Sequence, residues 1–152
     1  MVIRTVQESD YIKLVELYHS FFPTHNVFQK PKNEVISYLK QQTQENELIV
    51  YDDGKLKGAL YLVNFGQNSD GSHKLWKFRH FVFENEKVFS QLLKEAEKRV
   101  KKASKTSKIE LTIAETERGM DSYLANGYVR EAMLSHHYRW GETCFILGKA
   151  FG

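Results

Sequence analysis

An amphipathic segment in the second half of the chain lies between two apolar segments, and this order restricts the fold more than any other feature. From 86 to 103, apolar residues recur every three to four positions, which predicts a helix with one buried face. Segments 75–83 and 109–113 are rich in aromatic and branched residues, which predicts two strands. A strand, a helix and a strand in this order form a right-handed crossover between two parallel strands of one sheet.

The remaining patterns place further helices and strands on both sides of that crossover. In chain order they are a strand at 2–6, a helix after Asp10, a helix after Asn33, a hairpin at 47–65, a short helix at 115–126 and a hairpin at 131–151. Gly127 supplies the left-handed residue that ends the short helix. The sequence therefore predicts an α/β (α+β) fold in one domain over 1–152. Its mixed sheet has about seven strands, with helices on both faces.

Composition limits the compartment and the partners. Of the 152 residues, 41% are apolar and 27% are charged, as in an ordinary soluble domain. The single cysteine, Cys144, has no second cysteine for an internal disulfide, and no apolar run is long enough for a signal peptide or a membrane span. We therefore expect a cytoplasmic protein without a membrane partner. The net charge of +3 is too small to indicate nucleic-acid binding unless the charge is clustered.

The carboxyl-terminal part of the chain carries the most informative motif. The segment Tyr123-Leu124-Ala125-Asn126-Gly127-Tyr128 places a tyrosine four residues before a glycine–aromatic pair, at the end of a predicted helix and before a hairpin. Further features precede this motif in the chain: Ile3-Arg4, Asp10 near the first helix, and the returning strand Gly58-Ala59-Leu60-Tyr61 of the hairpin. Over essentially the whole chain this order resembles the GNAT superfamily of acetyl-CoA-dependent N-acetyltransferases. The resemblance implies an acyltransferase that moves an acetyl group from acetyl-CoA to a primary amine by direct attack.

The resemblance also implies where acetyl-CoA lies. In the family, backbone groups of the fourth strand bind the pantetheine arm, and a glycine-rich loop opening the third helix holds the pyrophosphate. The corresponding positions here are Phe81, Val82 and Phe83 on the strand, Glu86, Lys87, Val88 and Phe89 at the helix start, and Thr116, where the family often has asparagine.

The helix start departs from the family pattern. Lys87 and Phe89 stand at the two glycine positions, and Glu84 and Glu86 oppose a diphosphate electrostatically. We expect the Phe89 side chain to shield the amide groups of the helix terminus. Lys87 offsets only part of the acidic charge, so acetyl-CoA binding should be weak for this fold.

The resemblance assigns a general acid, and the chemistry requires a base. Tyr123 matches the family tyrosine that protonates the departing thiolate, whereas without the motif it would be packing on an amphipathic helix. His80 on the central strand and Glu110 on its neighbour are the candidate bases, and each could instead be a satisfied polar residue. His136 and His137 are adjacent on a predicted strand and so point to opposite faces. We predict no metal site.

Two other function classes remain open. One is a nucleic-acid-binding module that uses the basic ridge of the third helix, formed by Lys94, Lys98, Lys101, Lys102, Lys105 and Lys108. The interpretation we favour for this ridge is a solvated helix face. The other is a GNAT-like domain without catalysis that senses an acyl-CoA or serves as an interaction subunit.

The acceptor and the oligomeric state are not determined by the sequence. Residues 20–32 and the last hairpin, which would select the acceptor, are rich in aromatic and histidine side chains. This composition does not distinguish a small amine from a peptide. The unpaired edge of the last hairpin could build a homodimer.

Overall fold

The computed structural model describes all 152 residues, and its helices and strands follow the predicted order. They are β1 (Val2–Thr5), α1 (Tyr11–Phe21), α2 (Lys32–Thr43), β2 (Glu47–Asp52), β3 (Leu56–Gln67), β4 (His73–Phe83), α3 (Glu86–Ala103), β5 (Thr106–Ala114), α4 (Met120–Ala125), β6 (Val129–Ser135) and β7 (Thr143–Phe151). Short 3-10 helices at Glu8–Asp10 and Asn26–Gln29 lie before and after α1. No helix is both long enough and apolar enough to cross a membrane.

The strands form one seven-stranded mixed sheet in the order β1-β2-β3-β4-β5-β7-β6. β4 and β5 are parallel, with His73 opposite Thr106 and Lys77 opposite Glu110, and α3 connects them. β1 with β2, β2 with β3, β5 with β7 and β6 with β7 are antiparallel. The predicted α/β fold, with its parallel crossover inside a mixed sheet, is confirmed.

Two of the boundaries that differ from the sequence prediction involve candidate site residues, and both differ for local reasons. Residues 115–119 form turns rather than the first part of a helix. α4 begins after Gly119, whose φ is 116°. β6 ends at Ser135, so the prediction that His136 and His137 lie on a strand is wrong. His136 has a φ of 53°, accepts a hydrogen bond from the Gly141 amide at 2.7 Å and stacks on Trp140, which holds it in the turn.

The chain groups into two compact units. The first unit contains residues 1–63 and 78–99, and the second contains residues 64–77 and 100–152. β3, β4 and α3 each contribute residues to both units. That the whole chain is a single domain stays a prediction.

Within the first unit, α3 packs closely on β3. A Cβ built on Gly58 of β3 would lie 2.6 Å from Val88 Cγ1 and 2.7 Å from Leu92 Cδ1. Such separations are shorter than any real carbon–carbon contact, so a larger residue here would push the helix away. Just before α3, the Glu84 amide donates to the Lys57 carbonyl at 2.9 Å. The start of the helix is therefore fixed against this strand.

A partly buried ion pair joins the first strand to the start of α1. Arg4 donates to both carboxylate oxygens of Asp10, at 2.7 and 3.0 Å, and to Asp52 at 2.9 Å. Asp10 is 1% exposed and also accepts from the Gln7 amide at 2.7 Å. These hydrogen bonds, the one from Arg4 first, hold the pKa of Asp10 below its usual value. The Asp10 charge is thus fully hydrogen-bonded where water is excluded.

In the second unit, alternate side chains of β5 face the core. Ile109, Leu111 and Ile113 are buried, and the intervening residues are half-buried. After α4, Gly127 takes a φ of 90° and donates to the Leu124 carbonyl, which confirms the predicted glycine cap. The cap turns the chain back so that Tyr128 packs on Tyr123, with ring centroids 5.4 Å apart.

Replacing Asp10 by asparagine should destabilise the protein by about 1.5–3 kcal/mol, because the charged hydrogen bonds between Arg4 and the buried Asp10 are lost while Asp52 still pairs with Arg4. The wild-type pKa is lowered in the fold, so this stabilisation is present at neutral pH and is lost as the pH falls through the folded-state pKa. Urea unfolding at neutral and acid pH measures both effects. The control is Asp53→Asn, which removes an exposed carboxylate paired with Lys57 and should cost much less stability. Equal losses in the two variants would contradict the prediction.

Candidate active site

The residues predicted to lie beside acetyl-CoA at the end of β4 form part of the first unit's core. Phe81, Val82 and Phe83 are all buried. The ring of Phe89, which is 0% exposed, stacks on Phe81 with centroids 5.1 Å apart and meets Phe83 edge-on at 4.9 Å. The expectation that Phe89 shields the amide groups at the helix start is therefore wrong. Its ring turns into the core, because it lies on the apolar stripe of α3.

The exposed part of the helix start is short and carries a net negative charge. Glu84, Asn85, Glu86 and Lys87 are exposed, and Val88 is buried. Asn85 caps the helix by accepting a hydrogen bond from the Val88 amide at 3.1 Å. One amide that could face a diphosphate is thus already bonded to a side chain, and no glycine opens the backbone. This loop is not a glycine cradle, so a diphosphate bound here would rely on Lys87 for attraction.

His80 occupies a strained position on β4. Its φ is 52°, an uncommon value for a residue other than glycine. Two tyrosines fix it: Tyr18 Oη donates to the His80 carbonyl at 2.9 Å, and Tyr38 Oη lies 2.7 Å from Nε2. Such strain persists only where neighbouring groups hold the residue, and it concentrates at functional sites. Tyr38 is not among the residues predicted from the sequence, although its neighbour Leu39 lies on the buried side of α2.

The His80 imidazole is neutral in the folded protein. Burial, then the neighbouring His25 and Arg79, lower its pKa to about 3. The rings of Phe22, Phe28 and Tyr61 also surround it, with centroids 4.9 to 6.3 Å away. At neutral pH this imidazole is a hydrogen-bonding group, and its basicity is far below the value that suits a general base.

Glu110, the other base predicted from the sequence, takes part in a charge cluster of the second unit. Lys108 Nζ lies 3.3 Å from the Glu110 carboxylate and 2.8 Å from that of Glu131. The two acids thus share one cation on a half-buried sheet face. The role of Glu110 as a base stays a prediction.

Tyr123 and Thr116 lie in the second unit, in an acidic environment. Tyr123 is 3% exposed, and burial, followed by the nearby Glu117 charge, raises its pKa well above the usual value. The hydroxyl is therefore protonated at neutral pH, as a proton donor must be. Thr116 donates to Glu142 Oε2 at 3.1 Å, and Arg139 lies 3.7 Å from the same oxygen.

Glu117 is a titratable group that the sequence analysis did not select. Burial raises its pKa to about 7, the Ala114 backbone amide lowers it, Glu142 raises it and Arg139 lowers it. A carboxyl that titrates near neutral pH can both accept and release a proton there. The available signal was the presence of two glutamates, Glu115 and Glu117, just after β5. Nothing in the sequence shows that Glu117 is half-buried while Glu115 is exposed.

We expect Glu117→Gln to flatten the dependence of stability on pH. The folded-state pKa is raised from 4.5 to about 7, so wild-type stability falls as the pH rises through this window. At about pH 8 the variant should be more stable than the wild type by about 2 kcal/mol, after allowing for the remaining solvent exposure. Urea unfolding between about pH 5 and 8 measures this difference. Glu115→Gln, at an exposed neighbour, is the control for loss of one negative charge. If the stability of Glu117→Gln depended on pH in the same way as that of the wild type, the prediction would be wrong.

Comparison with known proteins gives a match at the level of structure. The aminoglycoside 6'-N-acetyltransferase from Enterococcus faecium superposes with a TM-score of 0.74 at 13% identity, covering 99% of this chain and 97% of that chain. An aminoglycoside 6'-N-acetyltransferase complexed with coenzyme A matches with a TM-score of 0.69, 13% identity and coverages of 99% and 97%. The acetyltransferase of the GNAT family from Streptococcus pneumoniae matches with a TM-score of 0.66 at 13% identity, covering 99% of this chain and 99% of that chain.

The chain therefore shares the fold of these acetyltransferases, as the resemblance implied. No protein-family model matches the sequence, and no curated protein matches it.

Proposed function

We propose that this protein transfers an acetyl group from acetyl-CoA to a primary amine of a small molecule or a peptide. The observation that carries the proposal is the GNAT fold over 99% of the chain, in which the tyrosine of the motif is buried and protonated. The solved neighbour complexed with coenzyme A supports the choice of acyl donor.

The reaction needs a proton donor and a proton acceptor. The neutral amine attacks the thioester carbonyl carbon, the carbon–sulfur bond breaks, and its electron pair leaves with the sulfur. Tyr123 gives its proton to that sulfur, and a base takes the surplus proton from the nitrogen. Return of a proton from that base to the Tyr123 phenolate regenerates both groups. Acetyl-CoA supplies only the activated acetyl group, so residues of this chain must donate the proton to sulfur and accept the proton from nitrogen.

Three residues are candidates for the acceptor of the surplus proton, and their environments differ. The sequence nominated His80 and Glu110. Of the three, Glu117 has the pKa best suited to neutral pH, about 7, and its charge acts on Tyr123. A pKa of about 3 makes His80 suited to holding Tyr38 in place rather than to taking a proton from an ammonium group. We therefore assign the proton acceptor to Glu117 ahead of Glu110 and His80.

The start of α3 supports a second reading, in which the fold has lost catalysis and senses an acyl-CoA. The capped Val88 amide and the absence of glycine favour weak donor binding. Calorimetry with CoA and with acetyl-CoA, followed by detection of free thiol with a panel of amines, separates the two readings. Binding without thiol release from any amine favours the sensor, and absence of binding to either compound overturns both.

We expect acetyl-CoA to bind with a Kd of about 100 μM or weaker, because Lys87 is the one cation among the exposed residues 84–87. Lys87→Gln should weaken this affinity by about 3- to 10-fold, as expected for the loss of one phosphate contact at a surface. Lys98→Gln, at an exposed position further along α3, is the matched control and should leave the affinity unchanged. Low-micromolar binding by the wild type, or equal affinities in the two variants, would show that the phosphates lie elsewhere.

Replacing Tyr123 by phenylalanine should lower kcat by about 10- to 1000-fold while changing thermal stability little, since only the hydroxyl is removed. Tyr128→Phe is the matched control, because Tyr128 is equally buried and packs on the same ring. Steady-state kinetics and thermal unfolding of both variants test the assignment. An unchanged kcat in Tyr123→Phe, or an equal loss in Tyr128→Phe, would make Tyr123 a packing residue.

A further inference from the structure

A cavity of about 380 Å³ lies in the second unit, at the carboxyl end of α3. Lys101 and Ser104 of the helix end, Lys105 and Ser107 at the start of β5, and Phe151 at the end of β7 line it. This volume is within the range of small-molecule sites. All of its lining residues belong to one unit, and none belongs to the proposed acetyl-transfer site.

Two of the residues around the cavity are lysines, and no ion pair neutralises their charges. Lys101 and Lys105 are exposed, and neither forms an ion pair. Lys101 Nζ lies 5.5 Å from the ring centroid of Phe151, and Lys149 Nζ lies 5.3 Å from the same centroid. Two ammonium groups beside one ring produce a locally positive potential next to an apolar surface.

Ser107 provides an independent sign of a ligand. It is 1% exposed, and its Oγ has no hydrogen-bond partner. Ser104, in contrast, satisfies its hydroxyl by donating to the Thr106 carbonyl at 2.7 Å. An unpaired buried hydroxyl is costly in folded proteins, and a ligand oxygen in the cavity would supply the acceptor that Ser107 lacks.

We propose that this cavity binds a small phosphorylated metabolite. The phosphate lies between Lys101 and Lys105 and accepts a hydrogen bond from Ser107 Oγ, and the organic part of the molecule contacts Phe151. Lysine binds phosphate as a point charge, and a serine hydroxyl adds the directional contact. The proposal does not depend on acetyl transfer.

Stabilisation of the helix end accounts for part of this arrangement only. Lysines in the last turn of a helix interact favourably with its dipole, and Lys102 does so without lining the cavity. That role leaves the unpaired hydroxyl of Ser107 unexplained, and it does not require a cavity. A bound phosphate accounts for the lysines, the hydroxyl and the space together.

The test uses phenyl phosphate, which carries a phosphate and a ring and shares no part of CoA, with phenol as the uncharged control. Calorimetry at low salt should give a Kd of about 1 mM or tighter for phenyl phosphate and no binding of phenol. Lys101→Gln/Lys105→Gln should weaken binding at least 10-fold, and Ser107→Ala about 3- to 10-fold. The alanine variant should fold at least as well as the wild type, since it loses an unsatisfied group.

Two lysines of α3 outside the cavity serve as controls. Lys98→Gln and Lys87→Gln should leave the affinity for phenyl phosphate unchanged, although Lys87→Gln weakens acetyl-CoA binding. Absence of phenyl phosphate binding, or equal binding in the wild type and the double lysine variant, would overturn the proposal. So would tighter binding of a single-stranded oligonucleotide that is unaffected by Ser107→Ala, because that result would indicate a nucleic-acid surface.

Discussion

The close packing of α3 on β3 at Gly58 is the constraint on which the first unit depends. With Val88 and Leu92 already within 2.7 Å of where a Cβ would be, the distance between helix and strand is set by the absence of a side chain. The same approach brings Phe89 into contact with Phe81 and Phe83. Helix, strand and aromatic core therefore form one packed arrangement, and the first turn of α3 cannot change without disturbing it.

This arrangement explains why the start of α3 lacks the small residues that a phosphate-binding loop uses. Val88 and Phe89 supply buried surface, and Asn85 supplies the helix cap. A glycine in place of Phe89 would leave a cavity in the core, which costs about 3–5 kcal/mol for a buried phenylalanine. Stability requires large buried side chains in this turn, whereas a phosphate-binding loop requires small ones. The sequence has the large side chains, Val88 and Phe89.

In the second unit, burial raises the pKa of two neighbouring groups, Tyr123 and Glu117, with different consequences at neutral pH. It keeps Tyr123 protonated, and it brings the pKa of Glu117 to about 7. The Glu117 charge raises the pKa of Tyr123, so ionisation of the carboxyl strengthens the hold of the phenol on its proton. One environment thus yields a permanent donor next to a group that exchanges its proton near neutral pH.

The sequence by itself determined the order of helices and strands, the parallel crossover and the glycine cap at Gly127, because these follow from local periodicity and backbone freedom. It placed His136 and His137 wrongly, since the stacking on Trp140 that ends β6 involves residues in a turn without periodicity. Only the tertiary structure decided that Phe89 faces the core, that His80 is neutral and that Glu117 titrates near 7. Burial and pKa depend on neighbours distant in the chain, and a single sequence does not specify those neighbours.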